Sequence, residues 1–141
     1  MSAQTHGAAL QEAFRQARDL DGSMAERLDL FAAAVRRHNP SFDAVVERLI
    51  ARLRQHKAGE GAPKVGDMMP PFLLPDETGR MVSLADLVAD GPAIVTFHRG
   101  HWCPYCRLSI KTLAQAQHEI ATRGARMVAI VPDRQQFAEE M

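Results

Sequence analysis

The sequence lacks the features that mark several large protein classes. Only two cysteines occur among 141 residues, which excludes a disulfide framework. The 17 Lys and Arg balance the 17 Asp and Glu, so the chain has no basic surplus of the kind that nucleic-acid modules carry. No apolar run approaches the length of a membrane span, and no basic N-terminal segment precedes an apolar stretch. We therefore expect a cytoplasmic protein with neither nucleic acid nor a membrane as partner.

Length and composition suit a single globular domain that carries an added helical arm. Hydrophobic residues make up 46% and charged residues 24% of the chain, close to the average for globular proteins. Apolar residues recur at helical spacing through residues 1–60, with breaks at Gly22 and Pro40. Ser23 and Glu26 have the capping-box spacing that starts a helix. These patterns predict a helical arm over the first sixty residues.

The apolar residues of this arm form stripes along its helices. The stripes comprise Ala9, Leu10, Ala13, Phe14 and Ala17, then Met24, Leu28, Phe31 and Val35, and finally Phe42, Val45, Val46, Leu49, Ile50 and Leu53. Stripes of this kind usually bury area rather than form a ligand site. We predict that they pack in a hydrophobic core or in a dimer interface.

After a linker over residues 58–63, the sequence pattern changes from helical to strand-like. Extended runs over residues 72–75 and 80–82 flank a turn and predict a β-hairpin. Ser83 then caps a single helical turn over residues 84–88. The hairpin and the short helix introduce the strand-rich part of the chain.

Two almost wholly apolar runs, residues 93–97 and 127–131, are typical of strands buried on both faces of a parallel sheet. A helical pattern over residues 104–123 lies between them, and Gly124 marks its C-terminal end. Strand, crossover helix and strand form one βαβ unit. One more helix is predicted to begin at Pro132.

Both cysteines fall in the tetrapeptide Cys103-Pro104-Tyr105-Cys106, where a predicted buried strand leads into a helix. Two intervening residues at a helix start let the sulfurs meet as a disulfide or separate as thiols. The helix N-terminus presents unpaired N–H groups, which favour a thiolate. Pro104 fits the first turn because it has no N–H to leave unsatisfied there. A CxxC pair in such a setting is typical of a redox motif.

The segment around the cysteines carries no acidic residue from Gly91 to His118. Arg99, Arg107 and Lys111 lie in that stretch, with His98 and His101. An electropositive, partly exposed thiol is the reactive kind, so we expect a reactive pair. We expect His101 to tune the thiol pKa, Arg99 to bind an anion and Trp102 to form a packing wall beside the thiols.

The pair has two competing interpretations. Two structural cysteines could give the same letters by chance, although the shared helix start and the absence of any other cysteine disfavour this. His98, His101, Cys103 and Cys106 could also supply four zinc ligands. The sequence contains no second close pair of ligands, and His98 would come from the end of a strand. We therefore expect no metal and no cofactor.

Several short motifs after residue 64 occur in a characteristic order. They are Val65-Gly66-Asp67, Pro70 or Pro71, Phe72-Leu73-Leu74-Pro75-Asp76, Gly79-Arg80, Val82-Ser83-Leu84 and the segment from Phe97 to Cys106. Together they resemble the peroxiredoxins, the alkyl-hydroperoxide-reductase/thiol-specific-antioxidant branch of the thioredoxin superfamily, in a subgroup that carries CPYC. The resemblance covers about residues 64–141, and a helical arm is a common prefix in that subgroup. It implies an α/β thioredoxin-like fold in residues 61–141, preceded by the helical arm in residues 1–60.

The resemblance implies catalytic roles for Cys103 and Cys106 and leaves their assignment open. In peroxiredoxins a Pro is followed four positions later by Thr or Ser and three further by the peroxidatic Cys, and these places hold Arg99, Cys103 and Cys106 here. By that alignment Cys106 attacks peroxide and becomes a sulfenic acid, which the second cysteine converts to a disulfide. By the thioredoxin alignment Cys103 is the exposed nucleophile and Cys106 the buried resolving partner. The residues expected to bind substrate or tune the pKa are Arg99, His98, His101, Trp102, Pro104 and Tyr105.

The resemblance implies an antioxidant that reduces hydroperoxides and is reset by an external thiol reductant. CPYC is also the tetrapeptide of many glutaredoxins, so a thiol-disulfide oxidoreductase is the second hypothesis. Residues 93–97 lack the buried acid that thioredoxin usually carries in the corresponding strand, which counts against this version.

A thioredoxin-type sheet needs strands beyond those predicted here. These strands, the cis-proline that faces the cysteines and the peroxide-binding arginine of the family would lie after Met141, so we expect a C-terminally truncated fold. An open apolar sheet edge favours association, and we expect the helical arm or a second copy, in a homodimer, to cover it. The missing strands also motivate a third hypothesis, a non-catalytic redox-sensing or dimerisation module.

Overall fold

The structure is a computed structural model in which residues 3–134 and Phe137 are described. The internal contacts of the chain divide it into two units, Met1–Pro70 and Pro71–Met141. The first unit contains helices and the second contains the strands and both cysteines. None of the helices described is long and apolar enough to cross a membrane.

Three helices form the first unit: α1 (Ala3–Asp19), α2 (Met24–His38) and α3 (Pro40–Gln55). The predicted capping box is present at the start of α2, where the Ser23 hydroxyl accepts from the Glu26 N–H and the Glu26 carboxylate accepts from the Ser23 N–H. The predicted helical arm is therefore built from local sequence signals.

The stripes of α1 and α2 pack against each other. The rings of Phe14 and Phe31 meet edge to face, with centroids 5.9 Å apart, and Ala17 on α1 is fully buried. Arg27 is also buried, and its guanidinium donates to the carbonyls of Arg18 and Gly22 between the two helices. The prediction that these two stripes pack in a core is confirmed.

The stripe of α3 behaves differently, because none of the residues of this helix is buried. Four of its apolar side chains are about half exposed: Phe42 at 52%, Val45 at 51%, Leu49 at 49% and Leu53 at 48%. The prediction of a core position is thus wrong for this helix. α3 contacts α2, but that contact leaves most of the stripe open. Dimer packing of the α3 stripe stays a prediction.

The second unit begins with the predicted hairpin. Strands β1 (Leu73–Pro75) and β2 (Met81–Ser83) pair antiparallel, with Leu74 opposite Val82. The Asp76 carboxylate closes the turn, because it accepts from the N–H groups of Thr78 and Arg80. Helix α4 (Leu84–Val88) follows directly, capped by Ser83 as predicted.

The predicted βαβ unit is present after the hairpin. Strands β3 (Ala93–Phe97) and β4 (Arg126–Ile130) pair in parallel. The crossover contains two helices, α5 (Pro104–Gln115) and α6 (Gln117–Thr122), where the sequence predicted one. The break falls at Ala116, whose N–H bonds to the carbonyl of Leu113, only three residues back. The predicted end at Gly124 is confirmed, and this glycine has a positive φ of 73°.

The two parallel strands are less buried than their apolar sequence predicts. Ile94 is 40% and Phe97 66% exposed, so burial on both faces was a wrong prediction. The physical reason is that β3 and β4 have only each other as neighbours in the described part of the sheet. Pro132 and Asp133 lie in a bend. The helix predicted to begin at Pro132 falls mostly on residues outside the described part of the chain, although Phe137, which is described, is helical. Helices and strands together confirm the α/β class with a helical N-terminal region.

Candidate active site

The two cysteines occupy the start of α5, directly after the loop that leaves β3. Cys103 is the N-cap residue, with extended backbone (φ −91°, ψ 111°), and Pro104 takes the first helical position. The Cys106 N–H donates to Cys103 Sγ at 3.4 Å, so this thiol performs the task of a capping hydroxyl. The predicted placement of the pair at a helix N-terminus is confirmed.

Both thiols are free and buried, with exposures of 1% for Cys103 and 8% for Cys106. The expectation of a partly exposed thiol is therefore wrong, and so is the exposed Cys103 of the thioredoxin alignment. Arg99 contacts both sulfurs. Its backbone N–H donates to Cys106 Sγ at 3.2 Å, and its Nη2 donates to Cys103 Sγ at 3.0 Å.

The Arg99 guanidinium also lies over the ring of Trp102, 5.9 Å from its centroid. Trp102 is 63% exposed, so it does not form the predicted packing wall. Its ring instead contacts the cation that bonds to the thiol. The predicted role of Arg99 in binding an anion stays a prediction, although the structure does place its charge at the sulfurs.

The surroundings shift the two thiols in opposite directions. Burial disfavours the thiolate of Cys106, but hydrogen bonds donated by the Cys103 thiol and by Arg99 and Gly100 outweigh it, so the pKa of Cys106 is lowered. Burial is also the largest effect on Cys103, and its hydrogen bond to Cys106 adds to it, so the pKa of Cys103 is raised despite the nearby Arg99 charge. These opposite directions favour a thiolate at Cys106 over one at Cys103.

His98 is turned away from this chemistry. Its Nε2 lies 3.0 Å from the hydroxyl of Thr96, and its backbone N–H donates to the carbonyl of Ile130. Burial lowers the pKa of His98, which favours the neutral ring. Among the described residues no hydrogen bond joins His98 to either thiol, so its role in tuning the thiol pKa stays a prediction.

His101 is held by a residue that the sequence interpretation missed. The carboxylate of Asp133 accepts from the His101 N–H at 2.7 Å through Oδ2, and Oδ1 lies 3.1 Å from His101 Nδ1. Residues 91–118 contain no acidic residue, and the carboxylate that contacts His101 comes instead from the segment after β4. The signal was available, because the carboxyl ends of two parallel strands meet at the same edge of a sheet.

The zinc alternative finds no assembled site. Across residues 3–134 and Phe137 there is no group of three or more His, Cys, Asp or Glu that could hold a metal ion. His98 and His101 engage Thr96 and Asp133, as described above. Tyr105 is half-buried in the first turn of α5, where its carbonyl accepts from the Ser109 hydroxyl at 3.0 Å.

Comparison with known protein families shows to which family the chain belongs. The profile of the AhpC/TSA family matches residues 65–141, which is more than half of the chain and includes both cysteines. The chain belongs to the AhpC/TSA family. Proteins of this family perform thiol-based redox chemistry in the thioredoxin superfamily, so the fold of this family member is thioredoxin-like α/β. No curated protein and no solved structure matches the chain significantly.

Proposed function

We propose that this AhpC/TSA-family protein reduces hydroperoxides, with Cys106 as the nucleophile and Cys103 as the resolving cysteine. The observation that carries the proposal is the backbone N–H of Arg99, which donates to Cys106 Sγ at 3.2 Å. A hydrogen-bond donor that points at a buried sulfur stabilises the thiolate, which is the reactive form. The lowered pKa of Cys106 supports the assignment.

In the first step the Cys106 thiolate attacks the hydroperoxide. An S–O bond forms as the O–O bond breaks, so Cys106 is oxidised to a sulfenic acid and the peroxide is reduced to an alkoxide or hydroxide. The leaving oxygen takes a proton from water. The positive charge of Arg99 lies beside the sulfurs and favours the negative charge that develops on the leaving oxygen.

In the second step Cys103 attacks the sulfur of the Cys106 sulfenic acid. A disulfide forms between Cys103 and Cys106 and water leaves, which balances the two-electron oxidation. An external thiol reductant then restores both thiols by exchange. A reducing compartment, in our proposal the cytoplasm, supplies this reductant. The family pattern has a hydroxyl at position 103, so the cysteine here combines the capping task with resolution.

A second candidate function is thiol-disulfide exchange with Cys103 as nucleophile. The observation that favours it is the Arg99 guanidinium, which lies 3.0 Å from Cys103 Sγ and favours a thiolate there. The 1% exposure of Cys103 and its raised pKa count against it, because a large disulfide substrate must reach the attacking sulfur.

One kinetic comparison separates the candidates. The reduced protein is mixed with hydrogen peroxide, an organic hydroperoxide or glutathione disulfide, and loss of thiols is followed over time. Our proposal predicts thiol oxidation by a hydroperoxide that is orders of magnitude faster than that of free cysteine. Fast reaction with the disulfide alone would support the second function. Reaction at the rate of an ordinary thiol with every substrate would support a non-catalytic module.

We further propose a second copy of the chain as the partner of α3. The helix that carries this half-exposed stripe has an acidic residue, Asp43, in its first turn and basic residues, Arg52 and Arg54, in its last. Asp43 and Arg54 lie about three turns apart on one side of the helix. Antiparallel pairing about a two-fold axis therefore places each Asp43 near Arg54 of the other copy, whereas parallel pairing would set like charges together.

A further inference from the structure

We infer that Asp133 is a positioning residue for the cysteine pair: through His101 it holds the loop after β3 so that the Arg99 N–H points at Cys106 Sγ. The inference rests on the proposed role of Cys106 as the nucleophile. It adds a residue outside the CxxC segment, 32 positions from the residue it binds.

The contact between Asp133 and His101 uses both carboxylate oxygens. Oδ2 accepts from the His101 backbone N–H at 2.7 Å, and Oδ1 lies 3.1 Å from Nδ1 of the ring. The Asp133 side chain is only 6% exposed. A buried carboxylate that has both oxygens engaged fixes its partner more firmly than an ion pair on the surface does.

Gly100 carries this restraint towards the sulfurs. It is buried and has a φ of 131°, and a Cβ at this position would lie 2.8 Å from Asp133 Oδ1. The carboxylate thus occupies the space beside Gly100 that a side chain would need. The Gly100 carbonyl accepts from the Cys103 N–H at 3.0 Å, and the preceding N–H, of Arg99, reaches Cys106 Sγ at 3.2 Å. A shift of this loop changes both contacts.

The ring of His101 is fixed from a second side. It stacks on Phe137 with centroids 4.4 Å apart and planes inclined by 11°. Both partners of His101, Asp133 and Phe137, follow β4, whereas His101 follows β3. The segments that follow β3 and β4 therefore contact each other close to the cysteines.

The test is the pH dependence of alkylation of Cys106. It is measured with iodoacetamide in the Cys103→Ser variant, where Cys106 is the only thiol, with and without Asp133→Asn. Loss of the carboxylate frees the loop and weakens the Arg99 N–H bond to sulfur. We expect the midpoint of the alkylation profile to move up by about one pH unit, which is about tenfold in the thiolate fraction.

The matched control is Asp90→Asn in the same background. Asp90 pairs with Arg126 at the opposite ends of the same two strands, across 36 residues, and among the described residues it has no hydrogen bond or ion pair to the loop. We expect no shift of the midpoint for this variant. An unchanged midpoint in folded Asp133→Asn, or an equal shift in Asp90→Asn, would overturn the inference.

A second variant keeps the inference testable if Asp133→Asn does not fold. His101→Ala retains the backbone N–H that bonds to Oδ2 and loses the ring contact, so we expect a smaller upward shift of the midpoint. No shift in this variant would also contradict the inference. Alkylation uses no peroxide, so a failure of the peroxidase proposal and a failure of the positioning role give separate results.

Discussion

Arg99 contacts the two sulfurs through different atoms, and these contributions can be separated by substitution. Arg99→Leu retains the backbone N–H at Cys106 and removes the guanidinium from Cys103. Cys106 then loses the side-chain hydrogen bond of Arg99 that helps to lower its pKa. We expect the alkylation rate at neutral pH to fall about tenfold, the equivalent of one unit of pKa. The measurement is iodoacetamide kinetics followed by intact mass.

Lys111→Leu is the control for this substitution. Lys111 is an exposed cation on α5, and no hydrogen bond or ion pair to it is found among the described residues. The substitution removes one positive charge from α5, the helix that also contains Cys106, without changing a contact to either sulfur. An equal loss of rate in both variants would show that net charge, rather than the contact of Arg99, activates the pair.

Gly100 gives a second prediction at the level of a single residue. Gly100→Ala places a Cβ within 2.6 Å of Trp102 Nε1 and 2.8 Å of Asp133 Oδ1, at a φ that L residues rarely adopt. We expect a loss of about 1–3 kcal/mol in the free energy of unfolding, measured by urea denaturation.

Gly59→Ala is the matched control, because Gly59 also has a positive φ, of 89°, but no atom within 4 Å of a Cβ. It carries the backbone strain without the steric contact. We expect Gly59→Ala to destabilise the protein less and to leave the alkylation profile unchanged. Equal effects of both substitutions would mean that the close packing around Gly100 contributes nothing.

The sequence predicted the site well where the signal was local and less well where it was tertiary. The cysteines at a helix start and Pro104 at its first position follow from spacing alone. Asp133 was missed, although β3 and β4 were predicted to pair, because its contact with His101 joins residues that lie 32 positions apart in the sequence. Trp102 was misjudged for the same reason, since the sequence beside the cysteines gives no information about the surface that would cover its ring.

At the scale of the element, the capping box of α2 gives a prediction with a defined pH dependence. Ser23→Ala removes the hydroxyl that accepts from the Glu26 N–H, and we expect it to cost about 1 kcal/mol in urea unfolding of the full chain. Ser41→Ala is the control, because Ser41 lies near the start of α3 but has no side-chain hydrogen bond among the described residues. An equal cost in both variants would contradict the cap.

The hydrogen bonds from Ser23 lower the pKa of Glu26 from its ordinary value of 4.5. A carboxyl whose folded pKa is depressed stabilises the folded state above its unfolded pKa, and this contribution is lost as the pH falls through the folded pKa. We therefore expect the stability of the wild type to drop on acidification below about pH 4.5. The drop should be smaller in Ser23→Ala. A larger drop in the variant would contradict this linkage.

The sequence predicted the helices and strands that have their own start and stop signals, but it did not predict how deeply they are buried. Ser23 and Ser83 begin helices and Gly124 ends one, each through bonds to near neighbours in sequence. The break at Ala116 has no glycine or proline to mark it. Burial of Ile94 and Phe97 depends on layers that the strand sequence does not specify, which explains why an apolar run predicted more burial than the structure has.

At the scale of the whole molecule, the α3 pairing predicts reversible dimerisation. One pair of helices buries less area than a standard interface, so we expect a dimer whose population rises with protein concentration. Sedimentation velocity under reducing conditions measures this. Leu49→Glu places charges near the two-fold axis and should abolish the dimer, whereas Ala51→Glu, on the opposite face of α3, should leave it intact.

Charge reversal tests the orientation of the two helices. Asp43→Arg should weaken the dimer, and Arg54→Asp added to it should restore the affinity, because the two positions are adjacent only in antiparallel pairs. A wild-type chain that stays monomeric at high concentration would contradict the pairing. Failure of the second substitution to restore the dimer would contradict its antiparallel orientation.

The identity of the peroxide-reactive sulfur is the central claim, and intact mass after a single addition of hydroperoxide tests it most directly. Wild type, Cys103→Ser and Cys106→Ser are reduced and treated in parallel. We predict a loss of two hydrogens in wild type, one added oxygen on Cys106 in Cys103→Ser, and no fast change in Cys106→Ser. A sulfenic acid that forms rapidly in Cys106→Ser instead would place the nucleophile at Cys103 and contradict the account.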